Sequence, residues 1–373
     1  MHSSQFWLIL ILSCRLIPAE TFHSSCPGRV RKIRFLKGKH TMNIYDISEK
    51  AGVSIATVSR VLNNSPKVRP STREKVLRIM EENGYTPNAF ARSLGLNSMF
   101  TVGILCSDVS DPYQAQAVSY LERELRNHSY ASMLCCTGYE LKEKQKSMEF
   151  LLSRNVDAVF LTASHFVERN PEDQAYLLAA ADKVPVFVLN GELSGTNIYS
   201  IFCDDYRAVF TMTSHLLTHG SSAPLYLYRR LNHSGQKKLH GFLDACRRFS
   251  VSHPERRVFG CQDAFPAAVS LLSSLRNSGL HFDAVQAADD ELAACALKYA
   301  QQHHLPVPGQ FQIAGYNASD LSVLCTPSIT TVDNRVEYLC TTAAELLFQL
   351  LEGKQIPCRT CFSGELLFRD TTC

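Results

Sequence analysis

The sequence NIYDISEKAGVSIATVSRVLN, residues 43–63, predicts two short helices joined by a tight turn. Asn43 is a good N-cap, and Asp46 stands three residues later, at the second position of a capping box. Gly52 ends the first helix, and Ser54 caps a second helix that runs from Ile55 to Leu62. Apolar residues at helical spacing mark the buried face: Ile44, Ile47, Ala51, Val58, Val61 and Leu62. Two short helices joined by a glycine-containing turn form a helix-turn-helix.

A third helix is predicted from Ser71 to Asn83. Ser71 and Glu74 have the spacing of a capping box, and Gly84 follows as a terminator. The residues expected to face inward are Val76, Leu77 and Met80. Residues 42–86 therefore form a small all-α unit in this interpretation.

The second helix of this unit has an outward face that suits a DNA groove. Its exposed N-terminal positions are Ile55, Ala56, Ser59 and Arg60. Arginine makes bidentate contacts to guanine, and small apolar side chains suit thymine methyls in the major groove. Thr57, Asn63 and Lys67 are expected to contact phosphates, which set the register without reading the sequence. For Arg60 alone, an ordinary surface arginine on a helical hairpin is the simpler alternative.

Two segments of this region resemble the DNA-binding headpiece of the LacI/GalR family of bacterial transcription regulators. They are AGVSIATVSRVLN, residues 51–63, and VRPSTREKVLRIMEENGYTPNAFARSL, residues 68–94. The resemblance implies that residues 87–99 contain a hinge helix that forms on the operator, with Leu94 as a minor-groove wedge and Asn88 as a further DNA contact. A helix this short is marginal alone, so its order should depend on DNA and on the partner hinge. The alternative is that Leu94 starts the core of the next domain.

Charge is distributed unevenly along the 373 residues, although the net charge is only +3. Residues 42–98 carry eight basic and five acidic side chains, whereas residues 99–373 carry 23 and 29. Such an asymmetry is typical of a protein that touches a polyanion with one end. The composition, 45% hydrophobic and 20% charged, excludes collagenous and disordered classes.

Residues 1–41 do not fit either part of the protein. The apolar stretch Phe6–Ser13 has the length of a signal-peptide core, but residues 1–5 carry no Lys or Arg and Arg15 interrupts the apolar run. We interpret this segment as an upstream extension from a misplaced translation start, with Met42 as the first functional residue.

From residue 100 the pattern alternates apolar runs with helical segments. The predicted strands are Thr101–Cys106, Ala131–Cys136, Ala158–Thr162, Val186–Asn190, Tyr199–Cys203, Leu225–Tyr228, Ala284–Ala287 and Gln312–Tyr316. The predicted helices lie near 112–128, 141–153, 172–182, 205–219, 236–249, 264–278, 290–303 and 335–351. Continuous apolar strands with intervening helices indicate parallel sheets covered on both faces. Counting alone allows two doubly wound lobes or a (β/α)8 barrel.

The family resemblance favours the two lobes, since it continues through DAVQAADDELAACAL (283–297), LPVPGQFQIAGYNASD (305–320) and TPSITTVDN (326–334). It implies that residues 100–373 form a two-lobed effector-binding and dimerisation domain, like a periplasmic sugar-binding protein. No GxSxG, P-loop or GxGxxG motif is present, so we predict no enzyme activity and no cofactor. Fourteen cysteines mostly stand singly in apolar runs, and the pair Cys358 and Cys361 lacks two further zinc ligands, so no metal is predicted.

Polar residues just past the strands are the candidate effector contacts, because ligands of open α/β sheets bind at the carboxyl ends of strands. They are Asp108, Tyr113, Thr162, Asn190, Asp204, Asp290 and Asn317. For each of them, a capping or solvent-facing polar residue is the alternative. The resemblance adds Lys238 in KKLHGF, where members often have an effector-binding arginine, and lysine there loses the planar two-pronged donor. The sequence also departs from the family pattern at Asp289, where Asn is usual, and at Asn317, where Asp is usual.

Together these observations predict a cytoplasmic, homodimeric transcription regulator without a membrane association. Its partners would be double-stranded operator DNA with an inverted repeat and a small effector, a sugar or sugar derivative. Repression is the default in the family, and activation stays open. The alternative is a solute-binding protein of a transporter, which would leave residues 43–98 unexplained.

Overall fold

A computed structural model of the chain describes residues 42–62, 65–85, 98–263 and 265–373. The chain divides into a small helical unit, called the headpiece, and a large α/β unit, called the body. The extension 1–41, residues 87–97 of the hinge segment 87–99, and the predicted DNA contacts Asn63, Asn88 and Leu94 lie outside the described residues.

The headpiece contains three helices: α1 (Ile44–Ala51), α2 (Ile55–Leu62) and α3 (Pro70–Glu82). The predicted capping box at the start of α1 is confirmed. The Asp46 amide donates to Asn43 Oδ1 over 3.2 Å, and the Asn43 amide donates to Asp46 Oδ2 over 2.8 Å. Gly52 ends α1 in the left-handed conformation, at a φ of 62°, which glycine adopts without strain.

The start and the inward face of α3 differ from the prediction. The helix begins at Pro70 with Arg69 as an N-cap that makes no side-chain hydrogen bond, so the predicted capping box of Ser71 is wrong. Proline fixes a helical φ and needs no amide partner, which suits the first helical position. Val76 and Met80 are buried, but Leu77 is 48% exposed, because the position after Val76 turns away from the stripe that faces α1.

The body contains twelve strands and nine longer helices within the described residues. The strands are β1 (Thr101–Cys106), β2 (Ala131–Cys136), β3 (Ala158–Leu161), β4 (Val186–Leu189), β5 (Ile198–Cys203), β6 (Pro224–Tyr228), β7 (Val258–Gly260), β8 (Ala284–Ala287), β9 (Gln312–Ala314), β10 (Thr331–Asp333), β11 (Arg359–Phe362) and β12 (Glu365–Leu367). The helices are α4 (Pro112–Asn127), α5 (Leu141–Ser153), α6 (Ala175–Ala181), α7 (Asp205–Thr218), α8 (His233–Arg248), α9 (Ala267–Asn277), α10 (Asp290–Gln302), α11 (Asp320–Leu324) and α12 (Val336–Leu351).

Two parallel sheets define two lobes. Lobe 1 holds a six-stranded sheet in the order β2-β1-β3-β4-β5-β11, and lobe 2 holds a four-stranded sheet in the order β7-β6-β8-β9. The short strands β10 and β12 pair antiparallel between Thr331–Leu367 and Asp333–Glu365. The architecture confirms the two-lobed prediction and excludes the (β/α)8 barrel.

The chain crosses between the lobes three times. It leaves lobe 1 after β5, returns after β10 through α12, and leaves again after β11. Each lobe has its own apolar core, with Phe160 and Phe187 in lobe 1 and Tyr299 and Phe311 in lobe 2. In the described parts of the chain, no helix is long and apolar enough to cross a membrane, and no group of residues is arranged to hold a metal ion.

Candidate functional site

The first candidate site is the outward face of α2 in the headpiece. Ile55, Ala56 and Arg60 are exposed, Thr57 and Ser59 are half-buried, and Val58 is fully buried. Ser54 caps the helix, since its Oγ accepts from the Thr57 amide over 3.2 Å. Burial of Val58 and Val61 fixes the rotation of α2, so that its N-terminal residues face outward as a group. The face has the geometry of a recognition helix.

Two other headpiece side chains outside α2 are exposed. Lys67 is exposed in the connection before α3, as a phosphate contact requires. Tyr45, in the first turn of α1, is 66% exposed and was not among the candidates from the sequence. The sequence indicated this exposure only through the position of Tyr45, which follows Ile44 and lies opposite the buried stripe of α1.

The second candidate site is the cleft between the lobes of the body. Several side-chain contacts join the lobes across it. Lys237 Nζ of lobe 2 lies 2.9 Å from Glu192 Oε2 of lobe 1. Arg169 of lobe 1 donates to the Leu231 carbonyl of lobe 2 over 2.7 Å, and the Arg230 guanidinium lies 4.0 Å from the centre of the Tyr139 ring. These residues follow or face the carboxyl ends of the strands, where ligands of open sheets bind.

Lobe 1 contributes four of the predicted contacts. Asp108 follows β1 and accepts from the Ser110 amide and hydroxyl, and these bonds lower the pKa of its carboxyl. The Tyr113 hydroxyl and the Asn190 Oδ1 are buried without a hydrogen-bond partner. Thr162 is fully buried and donates to the Leu105 carbonyl over 3.2 Å, so its hydroxyl is already used inside the lobe.

The crossover after β5 places a buried polar cluster at the base of the cleft. Asp204 caps α7 by accepting from the Arg207 amide, while the next residue, Asp205, is buried and accepts from the Tyr316 hydroxyl over 2.5 Å. Lys238 lies 3.5 Å from the centre of the Tyr316 ring and donates to the Ala288 carbonyl over 3.1 Å. Burial lowers the pKa of Lys238, and the nearby Asp205 carboxylate opposes that effect.

The consecutive residues Asp289 and Asp290 point in different directions. Asp290 is 2% exposed; its Oδ2 accepts from the Ser319 amide and hydroxyl, and its Oδ1 from the Thr331 hydroxyl. This carboxylate is held inside lobe 2, where it ties the loop at Ser319 to the strand residue Thr331. We call this arrangement a loop clamp. Asp289 caps α10 by accepting from the Leu292 amide and pairs with Arg229 over 3.0 Å.

Asn317, the last predicted contact, lies at the end of the segment after β9 with a φ of 97°. Its Oδ1 accepts from Asn334 Nδ2 over 2.9 Å, which ties it to the crossover before α12. The side chain is half-buried.

The sequence did not predict a cluster in which four carboxylates, of Asp108, Asp111, Asp289 and Glu291, lie around the Arg229 guanidinium. We call it the Arg229 cluster. Arg229 forms ion pairs with Asp289 and Glu291 of its own lobe. Asp108 and Asp111 of lobe 1 lie within electrostatic range of the same guanidinium. Burial is the main cause that raises the pKa of Asp111, and the Asp289 carboxylate raises it further. The sequence carried one signal, the unusual acidic residue at 289.

Comparison with known proteins follows this division of the chain. Residues 43–88 match the lacI family of bacterial regulatory proteins, and residues 213–372 match a periplasmic binding protein-like domain. An HTH-type transcriptional regulator of Lachnoclostridium phytofermentans is 46% identical over 89% of this chain and 99% of its own length. The HTH-type transcriptional regulator GalR of Escherichia coli is 32% identical, covering 84% of this chain and 90% of its own length.

Two solved structures share the fold of nearly the whole described chain. The lac repressor dimer bound to operator and the anti-inducer ONPF has a TM-score of 0.78 at 24% identity, covering 89% of this chain and 99% of that chain. The complex of the transcriptional regulator CelR with cellobiose has a TM-score of 0.64 at 24% identity, covering 88% and 99%.

Proposed function

Since the chain belongs to the lacI family of bacterial regulatory proteins, we propose that it is a DNA-binding repressor whose operator affinity is set by a sugar-sized effector. The observation that carries this proposal is the joining of an outward-facing helix-turn-helix to a two-lobed body with polar groups in its cleft. The solute-binding alternative is not favoured, because it gives residues 43–88 no role.

The headpiece would read the operator through α2. Arg60 is exposed at the C-terminal half of an eight-residue helix, and Ile55 and Ala56 are exposed at its start. We assign direct base contacts to Ile55, Ala56, Ser59 and Arg60, and phosphate contacts to Thr57, Asn63 and Lys67. The hinge segment 87–99, with Asn88 and Leu94, would contact the minor groove at the centre of the site.

The body would act as a homodimer and as the effector sensor. Solved relatives include a lac repressor dimer and a complex with cellobiose, which supports dimerisation and a carbohydrate effector here. A ligand in the cleft touches both lobes, so it favours one angle between them and changes the spacing of the hinges. The ligand shifts operator affinity only by its differential binding to the two arrangements, about 1–3 kcal/mol in typical cases.

Fluorescence anisotropy with the full chain and DNA from the promoters around its own gene tests the DNA-binding proposal. Arg60→Ala should cost roughly 1–3 kcal/mol at one base position, whereas Lys67→Ala should weaken binding to every sequence and reduce the salt slope by about one. Glu122→Ala, on α4 of the body, is a matched surface control that should bind normally. Wild-type binding without any sequence preference would defeat the regulator proposal, and a neutral Arg60→Ala would defeat the recognition-helix register.

A further inference from the structure

We propose that the effector of this chain is a donor-rich polyol without an anionic group, either neutral or bearing a protonated amine, and that phosphorylated and carboxylated sugars are rejected. The inference rests on the proposed function and concerns the charge class of the ligand in the same cleft. Three independent features of the cleft support it: the state of its cations, its excess of carboxylates and its unpartnered buried groups.

The cations described at the cleft already make contacts within the chain. Arg229 is paired with Asp289 and Glu291, and Lys237 is paired with Glu192. Lys238 is buried against the Tyr316 ring and bonded to the Ala288 carbonyl. Arg230, at the rim, lies over the Tyr139 ring. A phosphate would compete with a carboxylate for Arg229 or Lys237, since phosphate binding requires available cations or amide groups.

The histidines at the cleft do not supply positive charge either. Burial lowers the pKa of His165 to about 3, and the Lys144 and Arg230 charges lower it further. Burial also lowers the pKa of His233, with Lys237 acting in the same direction. Both imidazoles are therefore neutral at physiological pH and act as hydrogen-bonding groups.

Carboxylates outnumber cations at the centre of the cleft. The Arg229 cluster sets four of them, Asp108, Asp111, Asp289 and Glu291, around one guanidinium. Asp205 adds a further buried carboxylate close to Lys238. Charges in a partly buried site are weakly screened, so an entering anion would meet net repulsion and an ammonium group would meet attraction.

The unpartnered buried groups at the cleft are the oxygens of Asn190 and Tyr113 and the donor Arg229 Nε, a mixture that suits hydroxyl groups, which both donate and accept. Asn190 is 8% exposed and its Oδ1 has no partner, so it requires an N–H or O–H. The Tyr113 hydroxyl is also unpartnered, in a residue 9% exposed, within electrostatic range of Asp111 and Asp205. Buried polar groups are normally paired, and sugar hydroxyls or an ammonium would pair these without adding negative charge.

The test is calorimetric titration of the full chain with matched ligand series: glucose, glucosamine, glucose 6-phosphate and glucuronate, the corresponding galactose series, and cellobiose with its aldonate. We expect a neutral or amine member to bind at least tenfold more tightly than its phosphorylated or carboxylated counterpart. Comparison of the affinities of the neutral and the amino sugars then shows whether the cleft prefers a hydroxyl or an ammonium donor. Tighter binding of an anionic member, or no binding by any neutral or amine member, would overturn the inference.

Variants connect the discrimination to the Arg229 cluster. Asp289→Asn removes one negative charge but keeps an oxygen that can cap α10, so it should reduce the discrimination against the phosphorylated member at least threefold. Asp244→Asn is the matched control, because Asp244 pairs with Arg247 on the surface of α8 and should leave the discrimination unchanged. Equal effects of the two variants would overturn the assignment to the cluster.

Operator binding separates this inference from the proposed function. Binding of the ligand-free chain to its operator is measured without any sugar present. If that binding fails, the repressor proposal fails. If it holds and only anionic sugars change it, the repressor proposal stands and the inference about ligand charge fails.

Discussion

Replacing Asp290 with alanine should lower the stability of lobe 2, because Asp290 makes internal hydrogen bonds. We do not expect Asp290 to contact the ligand. The carboxylate accepts three bonds, from the Ser319 amide at 2.7 Å, the Ser319 hydroxyl at 2.9 Å and the Thr331 hydroxyl at 2.5 Å. Each buried donor left unpaired costs about 1–3 kcal/mol, and removing a buried carboxylate returns part of that. We therefore expect a net loss of about 3 kcal/mol in the free energy of unfolding.

Urea unfolding followed by circular dichroism measures this loss, and calorimetry with the ligand identified from the sugar series measures binding. Asp289→Ala is the adjacent control. It removes an N-cap and a partly exposed ion pair, so its stability cost should be about 1 kcal/mol, while its effect on ligand affinity should be the larger of the two. If Asp290→Ala kept its stability within about 0.5 kcal/mol and lost ligand binding, Asp290 would be an effector ligand and the clamp interpretation would be refuted.

Three further substitutions follow from the packing of the chain. Gly241→Ala should cost about 2 kcal/mol or more in urea unfolding, because a Cβ there would lie 2.4 Å from the Tyr206 carbonyl oxygen of α7; unchanged stability would contradict that close approach. Because the pKa of His165 is lowered to about 3, the unfolded chain binds a proton near pH 6.5 that the folded chain does not. Stability should fall by about 1.4 kcal/mol per unit as the pH drops from 6.5 toward 5, and His165→Gln should flatten that part of the urea-midpoint profile. Leu77→Ser should change headpiece stability by under about 0.5 kcal/mol, whereas Val76→Ala should cost about 2 kcal/mol in thermal melts. Equal losses of stability would indicate that Leu77 faces inward, as the sequence predicted.

The parts of the fold that the sequence predicted correctly depend on local signals. The capping box of Asn43 and Asp46 and the stop at Gly52 are interactions between residues a few positions apart, so the residue types specify them. The same holds for β1, β2 and β8, whose predicted and observed bounds are identical. Apolar runs bounded by polar residues leave little freedom in where those strands begin and end.

What the sequence could not predict depends on distant segments. Strands β10 and β12 are three residues each and exist because Thr331–Asp333 meets Glu365–Leu367 far along the chain. The different directions of Asp289 and Asp290 have the same origin. Ser319 and Thr331 turn one carboxylate inward, and Arg229 holds the other at the cleft, so no pattern within residues 283–297 distinguishes the two.

The three crossovers have a consequence for the order in which the protein folds during synthesis. Lobe 1 begins at β1 but takes its edge strand from Arg359–Phe362, and lobe 2 receives Thr371 in its core, where the hydroxyl donates to the Ile313 carbonyl over 2.7 Å. Neither lobe can close until these late residues have left the ribosome, whereas the described headpiece is built from neighbouring residues. A nascent chain would therefore carry a folded DNA-reading unit well before it has a sensor, and translation that stops before residue 359 would release a headpiece joined to two unfinished lobes.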